Sequence, residues 1–274
     1  MRIRDLAHGY RVHLRATTRN MFPSHPLLRR NSRFKDIHKG ERCFILGSGP
    51  SIARQDLTRL HGEIVITQNH FHAHPDISVI HPKYHCVVPM YQPPQYNPDW
   101  VRWFQTMEGR LPGNTEIFMG LNSKVLVDEN RLLLDRRSYL RCELNPMFMR
   151  RAVIDITRIV MAVPTVLTEC LTVALYMGFD KIYLLGFDLD QVCRMKDRTK
   201  VRFYGLSPIT NNEAEKNFER RDIKSGWEWF NFWLIWKQLN LLGEEAARNG
   251  QTIINCTDGG LLDCFERQNY EEVI

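Results

Sequence analysis

The chain has 274 residues, of which 43% are hydrophobic and 25% charged, and its formal net charge is +6. This composition is typical of a folded protein and excludes a disordered chain. The apolar runs are far shorter than the roughly 20 residues of a membrane-spanning helix, and arginines interrupt the start of the chain where a secretory signal would be apolar. None of the seven cysteines has CxxC spacing. We therefore expect a cytoplasmic protein with reduced thiols and neither a zinc site nor a disulfide framework.

The positive charge is concentrated at the start of the chain. Residues 1–42 have a net charge of +8, and the remaining residues have a net charge of −2. One side of a helical wheel carries Ile3, Leu6, Ala7, Tyr10 and Leu14, and the opposite side carries Arg4, Arg11, Arg15 and Arg19. Such a helix either lies on an anionic membrane surface, here the inner face of the membrane, or packs on its own domain or a second subunit.

Pro23 and Pro26 predict the end of this helix and a linker up to Gly40. We therefore divide the chain into residues 1–40, a basic amphipathic arm and linker, and residues 41–274, an α/β domain.

Short apolar runs predict the strands of this domain. Strands are predicted over residues 42–46, 63–67, 77–80, 84–88, 116–119, 181–185 and, as the last strand, 252–255. Helices are predicted over residues 165–177 and 227–248, a helical subdomain over 128–149 and a flexible polar loop over 194–216. Strands that alternate with helices imply an open, mostly parallel, Rossmann-like sheet with helices on both faces.

A glycine-rich turn follows the first predicted strand directly, and it consists of Gly47, Ser48, Gly49, Pro50 and Ser51. Two glycines allow the backbone to turn sharply and approach a ligand, and the N–H groups at the next helix start favour a phosphate. The segment departs from GxGxxG, which disfavours a nicotinamide dinucleotide. Because open α/β sheets bind ligands beyond the carboxyl ends of their strands, we expect a nucleotide here; a purely structural turn is the alternative.

Polar residues follow two further predicted strands. Asn69 ends the second apolar run, and Asp188 and Asp190 follow residues 181–185. The two acids could bind ribose hydroxyls, orient a catalytic group or bind a metal, or they could be a helix cap and a loop charge. The alternating histidines His70, His72 and His74 suit either a metal-binding tract or an exposed surface.

These segments resemble the bacterial sialyltransferases and their wider relatives, the motility-associated flagellin glycosyltransferases and a pterin diphosphokinase-like family. The resemblance is carried by the glycine-rich turn, by Asn69 and by residues 165–188 (TVLTECLTVALYMGFDKIYLLGFD). Residues 255–265 (NCTDGGLLDCF) resemble the close of the pterin-kinase-like group. The resemblance implies a single-domain fold of the GT-A-like sialyltransferase type. It also implies nucleotide contacts from residues 47–51, Asn69, Thr165 and Asp188.

Three features depart from the sialyltransferase pattern. Ser48 stands where an asparagine is usual, and Val166 stands where a serine is usual. Those enzymes use a late histidine as general base, whereas the last histidine here is His85. The resemblance therefore leaves the base open. Asp190 or Glu169 could serve if burial raises its pKa, and Tyr204 or Arg202 could stabilise a departing phosphate.

The expected activity is inverting transfer of a sialic-acid-like or other 2-keto sugar from a CMP-activated donor to a glycan or lipid-linked glycan in surface polysaccharide or glycoconjugate synthesis. No metal or other cofactor is expected. The alternatives are diphosphate transfer from ATP to a pterin, which needs Mg²⁺ and clustered carboxylates, and a non-catalytic nucleotide-binding module. Nucleic-acid binding is not expected because the body is slightly acidic. The tryptophans of residues 227–236 are expected in the core or in homo-oligomer contacts.

Overall fold

The computed structural model describes residues 3–22, 24–90, 97–193, 202–203 and 225–274. Within them nine strands form one sheet in which every neighbouring pair is parallel. The strands are β1 Arg42–Leu46, β2 Val65–Gln68, β3 Tyr84–Val87, β4 Glu116–Gly120, β5 Arg137–Leu144, β6 Ile159–Met161, β7 Lys181–Leu185, β8 Thr252–Asn255 and β9 Glu266–Arg267. The predicted open parallel α/β sheet is confirmed.

Helices cover both faces of this sheet. They are α1 Ile3–Arg19, α2 Pro26–Arg29, α3 Ile77–Ile80, α4 Asn97–Arg110, α5 Lys124–Glu129, α6 Val166–Met177, α7 Ser225–Arg248 and α8 Tyr270–Val273. Cys43 and Ile45 of β1 pack towards α6 and α7, whereas Phe44 and Leu46 pack towards the face that carries α4. Strands that are buried on both faces consist of continuous apolar runs, which is why their positions could be predicted.

The order of the strands creates a switch point at the centre of the sheet. The sheet order is β6-β5-β4-β3-β2-β1-β7-β8-β9. The chain builds outward from β1 to β6, returns through the fully buried helix α6, and then places β7 on the other side of β1. The loops that follow β1 and β7 therefore leave neighbouring strands towards opposite faces. Open α/β sheets bind ligands in the crevice that forms at such a point.

Three strand predictions are corrected by the structure. Residues 77–80 form a helical turn, with the Ile80 N–H bonded to the Asp76 carbonyl at 2.9 Å. A four-residue apolar run is too short for its periodicity to distinguish a strand from a helix. Strand β9 follows the strand that was predicted to be the last, and β6 was not predicted at all.

Residues 128–149, predicted to form a helical subdomain, contain strand β5 within the main sheet. Leu140 and Cys142 face the core, while Arg141 and Glu143 pair with each other, Nε to Oε1 at 2.8 Å. Two of the charged residues that suggested a separate subdomain, Arg141 and Glu143, thus form an ion pair on β5, next to the edge strand β6 of the sheet.

The predicted linker between Pro23 and Gly40 packs on the domain from residue 26 onwards. Leu28, Asn31, Phe34 and His38 are buried. The Asn31 amide nitrogen donates to the carbonyls of Tyr139 and Ile156, each at 2.9 Å. No helix in the described ranges combines the length and apolar character that crossing a bilayer requires.

Candidate functional site

The turn after β1 and the loop after β7 are in direct contact. The N–H of Gly47 donates to the Leu185 carbonyl at 2.7 Å, and that of Gly49 donates to the Gly186 carbonyl at 2.8 Å. A Cβ atom at Gly47 would overlap the Gly186 carbonyl, and one at Gly49 would overlap the Asp188 carboxylate. The two glycines of the turn are therefore required by the close approach of the two loops.

Asp188 binds the start of the 3-10 helix Pro50–Arg54. Its carboxylate accepts from the Ser51 hydroxyl at 2.7 Å and from the Ser51 N–H at 3.3 Å. Burial raises the pKa of Asp188, and the nearby Asp190 charge acts in the same direction, whereas the Ser51 hydrogen bonds oppose the shift. The Ser51 N–H at the start of this helix thus already binds a carboxylate of the protein itself, that of Asp188. Ser48, Gly49 and Pro50 remain partly exposed at the front of the turn.

Asn69 lies directly beyond the carboxyl end of β2 with left-handed backbone, φ 46°. Asparagine tolerates this conformation better than most residues. Its side-chain oxygen accepts from the Val88 N–H at 3.0 Å and so connects the ends of β2 and β3. The amide nitrogen of the same side chain donates to no residue in the described ranges, and the side chain is partly exposed. Asn69 therefore offers one hydrogen-bond donor at the ligand edge.

The histidines after Asn69 are buried in the 3-10 helix Asn69–Ala73 and its cap, which excludes the exposed alternative. His72 donates from Nδ1 to the Asn69 carbonyl at 3.0 Å, and burial lowers its pKa to about 4. His85 is fully buried beside it, with its pKa also lowered by burial. Across the described ranges, no three His, Cys, Asp or Glu side chains are placed to hold a metal ion.

Asp188 and Asp190 do not share one side of an extended segment. Leu189 between them has φ 48°, a left-handed conformation that a leucine rarely adopts. Asp188 is directed towards Ser51 and is 6% exposed, whereas Asp190, two residues further on, is partly exposed. Strain of this kind is often concentrated at functional sites.

Thr165 caps the start of α6 at the same edge of the sheet. Its hydroxyl makes no capping hydrogen bond. The Cys170 thiol donates to the Gln68 side-chain oxygen at 3.9 Å, which places the first turns of α6 below the end of β2. The start of α6, at Thr165, is thus five residues before a direct contact with Gln68, the residue that precedes Asn69.

Glu169 does not join the other candidates. It is 2% exposed on α6, and neither carboxylate oxygen has a hydrogen-bond partner within the described ranges. Burial raises its pKa well above the ordinary range, which favours the protonated, uncharged form of this carboxyl inside the core.

Tyr204 lies outside the described residues, but the two residues before the gap are placed. The Phe203 N–H donates to the Ser48 carbonyl at 2.9 Å, and the Phe203 ring is 5.1 Å from His74 and 5.6 Å from Phe71. Arg202 is therefore carried next to the glycine-rich turn. Of the two residues predicted to stabilise a departing phosphate, Arg202 lies within the described residues and beside the turn.

The end of the chain supports the site in a way that its sequence pattern alone did not predict. The Thr257 hydroxyl accepts from the Phe187 N–H at 3.1 Å, and the Asp188 carbonyl accepts from the Leu261 N–H at 2.7 Å. Gly260 has φ 75°, and a Cβ there would overlap the Asp188 backbone. The glycine pair after β8 could have indicated this contact, since it also follows the carboxyl end of a strand.

No protein-family model matches the sequence, and no curated protein matches it significantly. Among solved structures, the chain is similar to the sialyltransferase CstII from Campylobacter jejuni in complex with a substrate analogue, cytidine-5'-monophosphate. The identity is 13%, over 84% of this chain and 85% of that chain, with a TM-score of 0.47. A second CstII structure, in complex with CMP-3FNeuAc, is 15% identical over 67% of this chain and 78% of that chain, with a TM-score of 0.34. Likenesses this distant assign no activity, which has to be argued from the site.

Proposed function

We propose that the chain is a glycosyltransferase that binds a CMP-activated sugar at the carboxyl ends of β1, β2 and β7. The observation that carries the proposal is the switch point of the sheet, where the partly exposed Ser48 and Gly49 follow β1 and Gly49 contacts the loop after β7. Backbone N–H groups of such a turn suit a phosphate. The resemblance of the same residues to the bacterial sialyltransferases supports CMP as the nucleotide.

The position of Asp188 favours a donor with one phosphate. Its carboxylate accepts two hydrogen bonds from Ser51 at the helix start, so holding a Mg²⁺ ion would compete with these contacts. Diphosphate transfer from ATP needs a metal held by clustered carboxylates. A nucleoside monophosphate leaving group can instead be stabilised by protein donors, and Arg202 and Asn69 are the candidates beside the turn.

In the proposed reaction an acceptor hydroxyl attacks the anomeric carbon as the bond to the CMP phosphate oxygen breaks on the opposite face. The hydroxyl proton passes to a carboxylate, for which Asp190 is the candidate, and the bonding electrons leave with CMP. The burial of Glu169 argues against it in this role, because its carboxyl is 2% exposed and a general base has to reach the proton that it accepts. The acceptor is proposed to be a glycan.

A thermal-shift panel of CMP, CDP, UDP, GDP and ATP, each with and without Mg²⁺, tests the proposal. A ligand that binds only the folded state stabilises it by RT ln(1 + [L]/Kd), so the panel ranks affinities directly. We expect CMP to give the largest shift and Mg²⁺ to add nothing. Stabilisation by ATP only with Mg²⁺ would assign the chain to diphosphate transfer, and no shift with any nucleotide would contradict an enzyme of either kind.

A matched pair of variants tests whether the bound nucleotide uses this site. Asn69→Asp keeps the oxygen that accepts from Val88 but removes the Nδ2 donor, and loss of a hydrogen bond to a charged group should weaken CMP binding about tenfold or more. Asn145→Asp is the control, because the Asn145 side-chain oxygen also accepts a backbone N–H, from Met147 at 3.0 Å, beyond another strand. Equal CMP affinity in both variants would place the nucleotide elsewhere.

A further inference from the structure

The N-terminal helix α1 is fixed to the domain by only one of its sides. Ala16 is fully buried against Leu144 and Ile159. Just beyond the helix, the Asn20 amide donates to the Ile159 carbonyl and accepts from the Ile159 N–H, both at 2.9 Å. The side-chain amide of Asn20 thus makes the same pair of hydrogen bonds to the backbone of β6 that a neighbouring strand would make. The orientation of α1 on the domain is therefore set.

The predicted apolar stripe of α1 is not the side that docks. Tyr10 and Leu14 are 48% and 44% exposed, and Met21 and Phe22 just after the helix are 81% and 63% exposed. At 100° per residue, Tyr10 and Leu14 lie about 100° and 140° around the helix from the centre of the docking side, midway between Ala16 and Asn20. The domain covers the less apolar side and leaves Ala7, Tyr10 and Leu14 of the apolar stripe exposed.

Basic residues border this open stripe. Arg11 and Arg15 are exposed on the side of the stripe away from the domain. Long basic side chains next to exposed apolar residues are the pattern of a helix that lies in the interface of an anionic bilayer. Residues 1–42 as a whole have a net charge of +8, so the field of this region attracts anionic surfaces.

Helix α7 also carries two exposed tryptophans. Trp229 and Trp233 are 57% and 47% exposed, so these two do not lie in the core, and contacts with a second copy stay a prediction. Lys237 Nζ is 5.5 Å from the Trp233 ring and donates to the Met147 carbonyl at 2.7 Å. The next residue, Phe148, contacts the Tyr10 ring at 5.3 Å. The 3-10 helix Pro146–Phe148 therefore joins the exposed stripe of α1 to α7.

We propose that the surface formed by Tyr10, Leu14, Met21, Trp229 and Trp233, with Arg11 and Arg15 beside it, binds an anionic phospholipid bilayer. Tryptophan and tyrosine favour the membrane–water interface, and lysine and arginine reach from it towards the headgroups. This proposal is independent of the sugar chemistry proposed above.

Charge favours the bilayer over a second copy of the chain. A two-fold interface brings the same patch of both subunits together, so it would place Arg11 and Arg15 near the same arginines of the second copy. Like charges that face each other across an interface oppose association. An anionic lipid surface has the opposite charge and therefore attracts the same arginines.

Co-sedimentation of the full chain with vesicles tests this surface. The probes are pure phosphatidylcholine and phosphatidylcholine with about one third phosphatidylglycerol, each at low and high salt. We expect binding to the anionic vesicles only, with release at high salt. Each basic side chain contributes a factor of about five in affinity, so Arg11→Gln with Arg15→Gln should weaken binding about 25-fold.

Apolar variants separate insertion from simple charge attraction. Tyr10→Ser with Leu14→Ser should weaken binding about tenfold, because half-buried side chains no longer enter the interface. Val125→Ser is the control, since Val125 is 63% exposed on α5, outside the surface. Unchanged melting temperatures check that the exposed substitutions leave the fold intact.

Three results would overturn the proposal. They are absence of binding to anionic vesicles, equal binding by the arginine variant, and an apolar variant that converts a dimer to a monomer in sedimentation equilibrium while vesicle binding stays the same. The last result would assign the surface to a second copy.

Discussion

The carboxylate of Asp188 accepts two hydrogen bonds from Ser51, a residue 137 positions earlier in the chain. The contact joins the loop after β7 to the turn after β1 at the centre of the sheet. Asp188 therefore holds the glycine-rich turn in place before any ligand binds. Its first role is structural, and any contact with a nucleotide stays a prediction.

Removing the Ser51 hydroxyl should destabilise the protein. Ser51→Ala leaves a buried carboxylate without its shortest hydrogen bond, and a hydrogen bond to a charged group contributes about 1.5–3 kcal/mol. Since the bond favours the ionised form of Asp188, the loss should be larger at pH 7 than at pH 4, where the carboxyl is protonated in more molecules. Urea unfolding at the two pH values measures both effects.

Ser123→Ala is the matched control for that experiment. Ser123 is also fully buried, but its hydroxyl has no hydrogen-bond partner within the described ranges. Its removal should leave the free energy of unfolding unchanged or raise it, because a buried hydroxyl without a partner is itself unfavourable. Similar losses in the two variants would mean that the Ser51–Asp188 bond contributes nothing specific.

Gly49→Ala should disturb the site through steric overlap. The added methyl group would collide with the Asp188 carboxylate, so the turn must move away from the loop after β7. We expect a loss of about 1–3 kcal/mol in the free energy of unfolding, the usual cost of overpacking, together with weaker nucleotide binding. Gly109→Ala in α4 meets no atom within 4 Å and should instead stabilise the helix by about 0.5–1 kcal/mol. A neutral Gly49→Ala would show that the two loops are not held together.

Glu169 should make stability depend on pH. Burial raises its pKa in the folded state above its unfolded value, so the folded protein keeps a proton that the unfolded chain releases. Between these two pKa values, stability falls as pH rises, by about 1.4 kcal/mol for each pH unit, and below the unfolded pKa the penalty is absent. Glu169→Gln has no proton to lose.

The free energy of unfolding of Glu169→Gln should therefore exceed that of the wild type by a margin that grows from pH 5 upwards. Glu129→Gln, the same exchange at an exposed carboxylate on α5, is the control. A constant difference between Glu169→Gln and the wild type across this range would mean that Glu169 is ionised in the folded protein.

The elements that could be predicted from the sequence are those that a short stretch of neighbouring residues determines by itself. Residues 42–46 and 181–185 are continuous apolar runs, and a strand buried on both faces requires such a run. The location of the candidate site at the carboxyl ends of the strands could also be predicted, because Asn69, Asp188 and the glycine-rich turn come after predicted strands. Strand β5 could not be recognised from the sequence, because the charged residues Arg141 and Glu143 obscure the apolar pattern of the strand. Their mutual ion pair, which makes them compatible with a sheet, is visible only in the structure.

The contacts of the site depend on the order of strands, which no local pattern contains. Ser51 can meet Asp188 only because β7 returns to the side of β1, and Thr257 can meet Phe187 only because β8 follows at the next position. The side of α1 that packs on the domain could not be predicted for a related reason. The most apolar stripe of a helix is the side expected to be buried, but here β5 and β6 pack against the side that carries the small residue Ala16.

The last prediction concerns Asp190, the carboxylate proposed to accept the proton of the acceptor hydroxyl. It is partly exposed, two residues beyond Asp188 and after the strained Leu189. Asp190→Asn keeps the shape of the side chain, so CMP affinity should stay nearly intact. Turnover should fall by about 10²–10⁴-fold, the usual contribution of a positioned base.

Glu169→Gln and Tyr204→Phe, assayed in parallel for turnover and CMP affinity, distinguish the remaining candidates. Glu169→Gln should keep its turnover, because the Glu169 carboxyl is enclosed in the core and is only 2% exposed. A loss confined to Tyr204→Phe would point to stabilisation of the departing phosphate as the main contribution, since a phenol can donate a hydrogen bond to it. Near-normal turnover in Asp190→Asn would reduce Asp190 to a loop acid and require another base.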